Sequence, residues 1–220
     1  MWDNLAPPWR TCLEEAWSAY CAGAIPIGAA ITDSTGRVLA RGRNRVYADA
    51  AGNRRPHGHP LAHAETHAFE QLDWDVIDPH DCVLYSTMEP CPLCLGAFYM
   101  SGLHELHYAA RDPYAGSTNL LGATPYLGSK DVRAVGPASS RLEAISVALI
   151  VEFSLHRATP ERVGAARLIW DTTAPAGVEI GKALHRSGEL RRYRAAQRNV
   201  ASVVESLATL LDSMIADISI

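Results

Sequence analysis

Four residues carry the chemical signal in this chain: His63 and Glu65, which flank a single alanine, and Cys91 and Cys94, which open a later helical stretch. Cys-x-x-Cys at the start of a helix places two thiols near the positive end of the helix dipole, which lowers their pKa and favours thiolates. Three chemistries use such a pair. A redox dithiol needs no His63. Half of a structural zinc ribbon needs a second cysteine pair, which the sequence lacks. A catalytic zinc needs one further nitrogen or sulfur donor and an open fourth position.

His63 can supply that donor. Three protein ligands then leave a position for water, which the metal acidifies. Glu65 projects from the same helix start without sharing the direction of His63, so it can reach the water rather than the metal. A carboxylate there can take a proton and deliver it to a leaving amine.

The elements that must position these groups read as an alternation of strands and helices. A helix spans about Trp9 to Ala22, with Leu13, Ala16, Trp17 and Tyr20 on one face. "IPIGAAITD" and "RVLARGRN" form a hairpin through the turn "DSTG". Residues 47–60 are polar and rich in Gly, Pro and His, a loop. "PLAHAETHAFEQL" (60–72) reads as a helix of about three turns, with Leu61, Ala64, Ala68 and Leu72 toward a core. Strands follow at 81–87, 103–110 and 131–136, and a helix at 91–102, with Pro92 in its first turn and Gly102 closing it. From Ala138 the pattern is helical, broken near Pro160 and at 172–177. This order predicts an α/β layer, a central sheet covered on both faces.

Composition narrows the function. The 220 residues are 48% hydrophobic and 20% charged, the balance of a globular protein, and the formal net charge is −4. A protein that grips long polyanions shows a basic surplus; here only 185–198 is locally basic, and it reads as a solvated helix face. The apolar run 142–155 is interrupted by Glu143 and Glu152 and is too short to span a bilayer. Acids near the N-terminus, where a signal peptide has a basic start, predict a cytoplasmic location with no membrane partner. Five cysteines speak against a disulfide framework, and Cys12, Cys21 and Cys82 read as small core residues.

"HAE" (63–65) followed by "PCPLC" (90–94) matches the H-x-E…P-C-x-x-C signature of zinc-dependent nucleobase deaminases. The sequence resembles the cytidine deaminase superfamily, and within it the branch of guanine deaminases and bacterial tRNA adenosine deaminases. "IPIGAAITD", "GRNRV", "PLAHAE", "LYSTMEPCPLCLGAFYMSG" and "YAARDPYAGS" carry the likeness, from about residue 10 to 157.

The resemblance implies a central mixed β-sheet sandwiched by helices, with a zinc-dependent deaminase domain at 1–157 and a helical C-terminal extension at 158–220. It implies one Zn2+ per chain held by His63, Cys91 and Cys94, with Glu65 as proton shuttle. Asn44 would hydrogen-bond the purine ring, Ala64 and Cys91 would offer backbone groups to the reacting amine and water, and Asp112 would sit at the pocket rim. Glu89, beside Pro90, would support the zinc loop.

The expected reaction is hydrolytic deamination of a small purine base or nucleoside, guanine-type first, by a homodimer. A tRNA adenosine deaminase is the nearest alternative, disfavoured by the acidic balance. A non-catalytic zinc-stabilised binding module is another, disfavoured by the intact Glu65. His59 stands where this branch often has an aspartate, and His57 and His67 add further imidazoles nearby. Segment 158–220 resembles neither subgroup. Its residues Val200, Val204, Leu207, Leu211, Met214 and Ile218 form a heptad seam that must be buried against the deaminase core or another subunit, and its spacing favours a partner helix across a two-fold contact.

Overall fold

A computed structural model describes residues 1–47, 59–157 and 170–218, with side chains as far as Met214. Five strands form one sheet: β1 (Gly28–Thr32), β2 (Val38–Arg43), β3 (Val83–Met88), β4 (Glu105–Ala110) and β5 (Arg133–Val135), in the order β2-β1-β3-β4-β5. β1 runs antiparallel to both β2 and β3, whereas β3, β4 and β5 are parallel. The sheet is therefore mixed, with the hairpin of the sequence reading at one edge.

Helices cover both faces. On one, α2 (Ala64–Glu70) and α3 (Pro92–Ser101) bury Ala64, Ala68, Phe69, Phe98 and Tyr99 against Ile31, Ala40, Leu84 and Leu106. α2 lies very close to β2. A Cβ at Gly42 would collide with the Ala64 carbonyl and the Ala68 amide, so only glycine lets the helix that begins at His63 sit where it does. α3 ends at Gly102, whose φ of 83° is the left-handed conformation expected of a helix C-cap.

The opposite face carries α1 (Pro7–Cys21) and α5 (Ser140–Arg157), with a short α4 (Pro125–Gly128) in the connection before β5. α5 is buried from Leu142 through Phe153 because it lies between the sheet and the C-terminal helices α6 (Pro175–Ser187), α7 (Glu189–Ala195) and α8 (Val200–Ile218). That position explains the apolar run at 142–155. Its two interrupting acids have partners in the chain: Glu143 accepts from Arg111, and Glu152 accepts from the Tyr20 hydroxyl at 2.8 Å. Among the described residues no helix is long and apolar enough to cross a membrane.

Two expectations are corrected. The helix expected over 60–72 is shorter and starts later, because a turn in which the Ala62 amide donates to the His59 carbonyl precedes it. Ala64, Ala68 and Leu72 are buried as their spacing implied, but Leu61 lies outside the helix and is 58% exposed. The seam on α8 is covered from within. Val204, Leu207 and Leu211 are buried in this chain's own core with Leu13, Leu142, Ile145 and Leu184, so they need no partner helix. The side chain of Ile218 lies outside the described residues.

Candidate metal centre and active site

His63 and Cys91 occupy equivalent places, each the extended residue immediately before a helix, His63 ahead of α2 and Cys91 ahead of α3. Cys94 follows one turn into α3. Two helix N-termini thus converge on one point and turn their positive ends toward two thiols. His63 Nδ1 lies 3.5 Å from Cys91 Sγ and 3.4 Å from Cys94 Sγ, and the sulfurs are 3.7 Å apart.

Three donor atoms lie within 4.8 Å of one another, the size of a tetrahedral zinc site, and one nitrogen with two sulfurs is a donor set zinc favours. His63, Cys91 and Cys94 are the one such group among the described residues. The Cys94 thiol, hydrogen-bonded to Cys91, draws the Cys91 pKa down to about 4, while the same bond and burial push the Cys94 thiol up, so without a metal only one of the two thiols is lowered as their place on the helix implied.

Glu65 is 4% exposed. Ser86 Oγ donates to its Oε1 at 2.8 Å, and its Oε2 lies 3.2 Å from Cys94 Sγ. Burial pushes the Glu65 carboxyl above its ordinary value. Sequence reasoning missed Ser86. Its signal was a small hydroxyl between Leu84 and Met88, the alternate positions on its face of the strand.

These groups open into a cavity of about 560 Å³. His63, Glu65, Cys91 and Cys94 line it together with Asn44, Glu89 and Asp112. Asn44 is buried; its Oδ1 accepts from the Val46 amide at 2.9 Å, and its Nδ2 makes no hydrogen bond to the described residues. The Asp112 carboxylate accepts from the Tyr114 and Ala115 amides, and burial raises its pKa. Glu89 accepts from the Asp112 amide at 3.1 Å and from the Thr118 amide at 3.2 Å, while the Pro90 carbonyl accepts from Ser117. Glu89 and Pro90 thereby fasten the loop after β4 to the segment that presents Cys91.

Other sequence candidates fall elsewhere. The Ala64 side chain is in the core, while its backbone, the part the resemblance assigns to the site, directly follows His63 at the start of α2. His67 Nδ1 accepts from the Arg43 amide beside β2, and exposed His59 accepts from the Leu61 amide. His57 lies outside the described residues. Trp170, from the segment that resembled nothing, closes one wall of the cavity; its Nε1 donates to the Arg111 carbonyl at 2.8 Å.

Residues 8–110 match the cytidine and deoxycytidylate deaminase zinc-binding region. A probable cytosine deaminase of Schizosaccharomyces pombe is 30% identical over 139 residues, 62% of this chain and 79% of that relative. The chain belongs to the cytidine and deoxycytidylate deaminase family. The guanine deaminase of Bacillus subtilis is 34% identical over 46% of this chain and 64% of its own length. Among solved structures of the same fold, the guanine deaminase of Nitrosomonas europaea superposes with a TM-score of 0.50 at 26% identity, over 69% of this chain and 86% of that one. tRNA-specific adenosine deaminases are also relatives. The chain spans only 15% of the length of another, the tRNA(Ile)-lysidine synthase of Deinococcus radiodurans.

Proposed function

We propose that this family member is a zinc-dependent hydrolytic deaminase of a small purine base or nucleoside, guanine-type first, that releases ammonia. The observation that carries the proposal is the meeting, in one cavity, of a His63, Cys91, Cys94 donor set with a buried carboxylate held by Ser86. Guanine deaminases among the relatives support the choice of ring.

In this reading one zinc per chain is held by His63, Cys91 and Cys94, and when bound it supplies the Lewis acidity that activates water. Glu65 does the proton work. It takes a proton as water adds to the amine-bearing ring carbon and passes it to the neighbouring ring nitrogen; it then takes the proton of the added hydroxyl as the carbonyl forms and gives it to the departing amine. The carbon–nitrogen bond breaks, a carbon–oxygen bond replaces it, and ammonia leaves. Ser86 holds Oε1 and leaves Oε2, beside Cys94, for the reacting centre. Asn44 keeps Oδ1 for its own turn and offers Nδ2 to a ring acceptor. The Ala64 and Cys91 backbones and Asp112 complete the proposed contacts, and Glu89 with Pro90 steadies the loop that bears Cys91. The functional unit in this proposal is a homodimer, with an interface other than the α8 seam.

Ammonia release from a panel of purines, pyrimidines, their nucleosides and tRNA tests the proposal. It predicts turnover of a guanine-type ring and weak competition by tRNA at physiological salt. Inosine formation in tRNA with no activity on any small molecule would overturn it.

A further inference from the structure

The cavity extends well past the metal donors. Its volume of about 560 Å³ belongs to pockets that enclose a drug-sized ligand, more than one bicyclic ring fills. The additional wall comes from α5. Ile150, Phe153, Ser154 and Arg157 line it at spacings of three, four and seven residues, one stripe along the helix. Ile150 packs with Met88, next to the segment that presents Cys91, and with Trp170. Arg157 stands about 10 Å further along the helix axis.

Arg157 is the one Arg or Lys among the described residues lining the cavity. Its guanidinium lies over the Tyr47 ring at 4.8 Å and the Phe153 ring at 5.6 Å, and Nη1 donates to the Gly23 carbonyl at 2.6 Å. Among the described residues it forms no ion pair. An arginine steadied by two rings and one carbonyl keeps donors for an anion and loses little freedom on binding one. The acids in the same cavity are otherwise engaged: Asp112 and Glu89 accept from backbone amides of the neighbouring loop, and Glu65 from Ser86.

We infer that Arg157 receives the phosphate of a nucleoside monophosphate, with the sugar lying along the Phe153 and Trp170 wall. The natural substrate is then the 5′-monophosphate of the nucleoside, which narrows the base-or-nucleoside reading of the proposed function. This rests on the proposed function for the ring end of the cavity and adds a specificity-determining residue at the other.

Binding tests it directly. The zinc-loaded protein, with Glu65→Gln to stop turnover, is titrated calorimetrically with guanine, guanosine and guanosine 5′-monophosphate, with and without Arg157→Gln. Glutamine keeps a donor for the Gly23 carbonyl, and a melting curve checks that the fold is retained. The monophosphate should bind at least about tenfold more tightly than guanosine, and Arg157→Gln should erase that advantage while leaving guanosine within about twofold. Equal affinities for monophosphate and nucleoside, equal losses for all three ligands, or no binding of any would overturn the inference. Binding in the expected order, with no ammonia from any of them on the wild type, would instead refute the deaminase reading and leave this one standing.

Discussion

Ser86 and Glu65 are joined across 21 residues of sequence by a 2.8 Å hydrogen bond between two almost fully buried side chains. The bond links the centre of the sheet to the helix that presents His63. It holds one oxygen of a carboxylate that, in the proposed reaction, must keep its orientation through its proton transfers. Ser86→Ala removes the donor while leaving every metal ligand in place. A hydrogen bond to a charged group contributes about 1.5–3 kcal/mol, so kcat/KM should fall by about tenfold or more at unchanged zinc content. Full activity in Ser86→Ala would show that Glu65 is positioned by other contacts.

The donor set makes a prediction about metal. Purified protein should contain about one zinc per chain. Cys91→Ala or Cys94→Ala leaves two ligands and should lose the metal, as measured by atomic emission after dialysis. Retention of stoichiometric zinc by Cys91→Ala would remove that residue from the site.

The contact between β2 and α2 makes another. Because a methyl group at residue 42 meets the backbone of α2 at Ala64 and Ala68, Gly42→Ala must push that helix off the sheet. Overpacking of this kind costs about 1–3 kcal/mol. The displaced helix start also carries His63, so the melting temperature and zinc affinity should fall together. A variant with lowered stability and unchanged zinc affinity would uncouple the helix from the centre.

The α8 seam is tested by Leu207→Ala. Leu207 is fully buried among Leu142, Ile145 and Leu184 of the same chain. Its truncation should cost about 2–5 kcal/mol in urea unfolding. Light scattering should return the wild-type mass. A smaller species with little loss of stability would restore the seam to an interface between subunits.

The sequence made the chemistry legible and left the walls of the site hidden. His63, Glu65, Cys91 and Cys94 are short-range patterns, each pair within one helix start, and residue type alone limits what they can do. The five strands were visible because their apolar runs end at turn residues. Leu61 misled because helical spacing ran past Pro60, where a turn replaces the helix. The α8 heptads misled because a helix buried against its own core and one buried against a twin show the same stripe. Trp170 and Arg157 reach the cavity only through tertiary contacts. Trp170 is anchored on Arg111, 59 residues away, and Arg157 on Gly23, 134 residues away, with no local pattern to announce either.

The most direct measurement is ammonia release from a guanine-type substrate by wild type and Glu65→Ala, with zinc content determined on the same samples. The account predicts about one zinc per chain in both, and ammonia from the wild type at a rate at least about a hundredfold above the variant. Equal rates in the two proteins, or no ammonia from any amino-heterocycle with zinc fully bound, would contradict it.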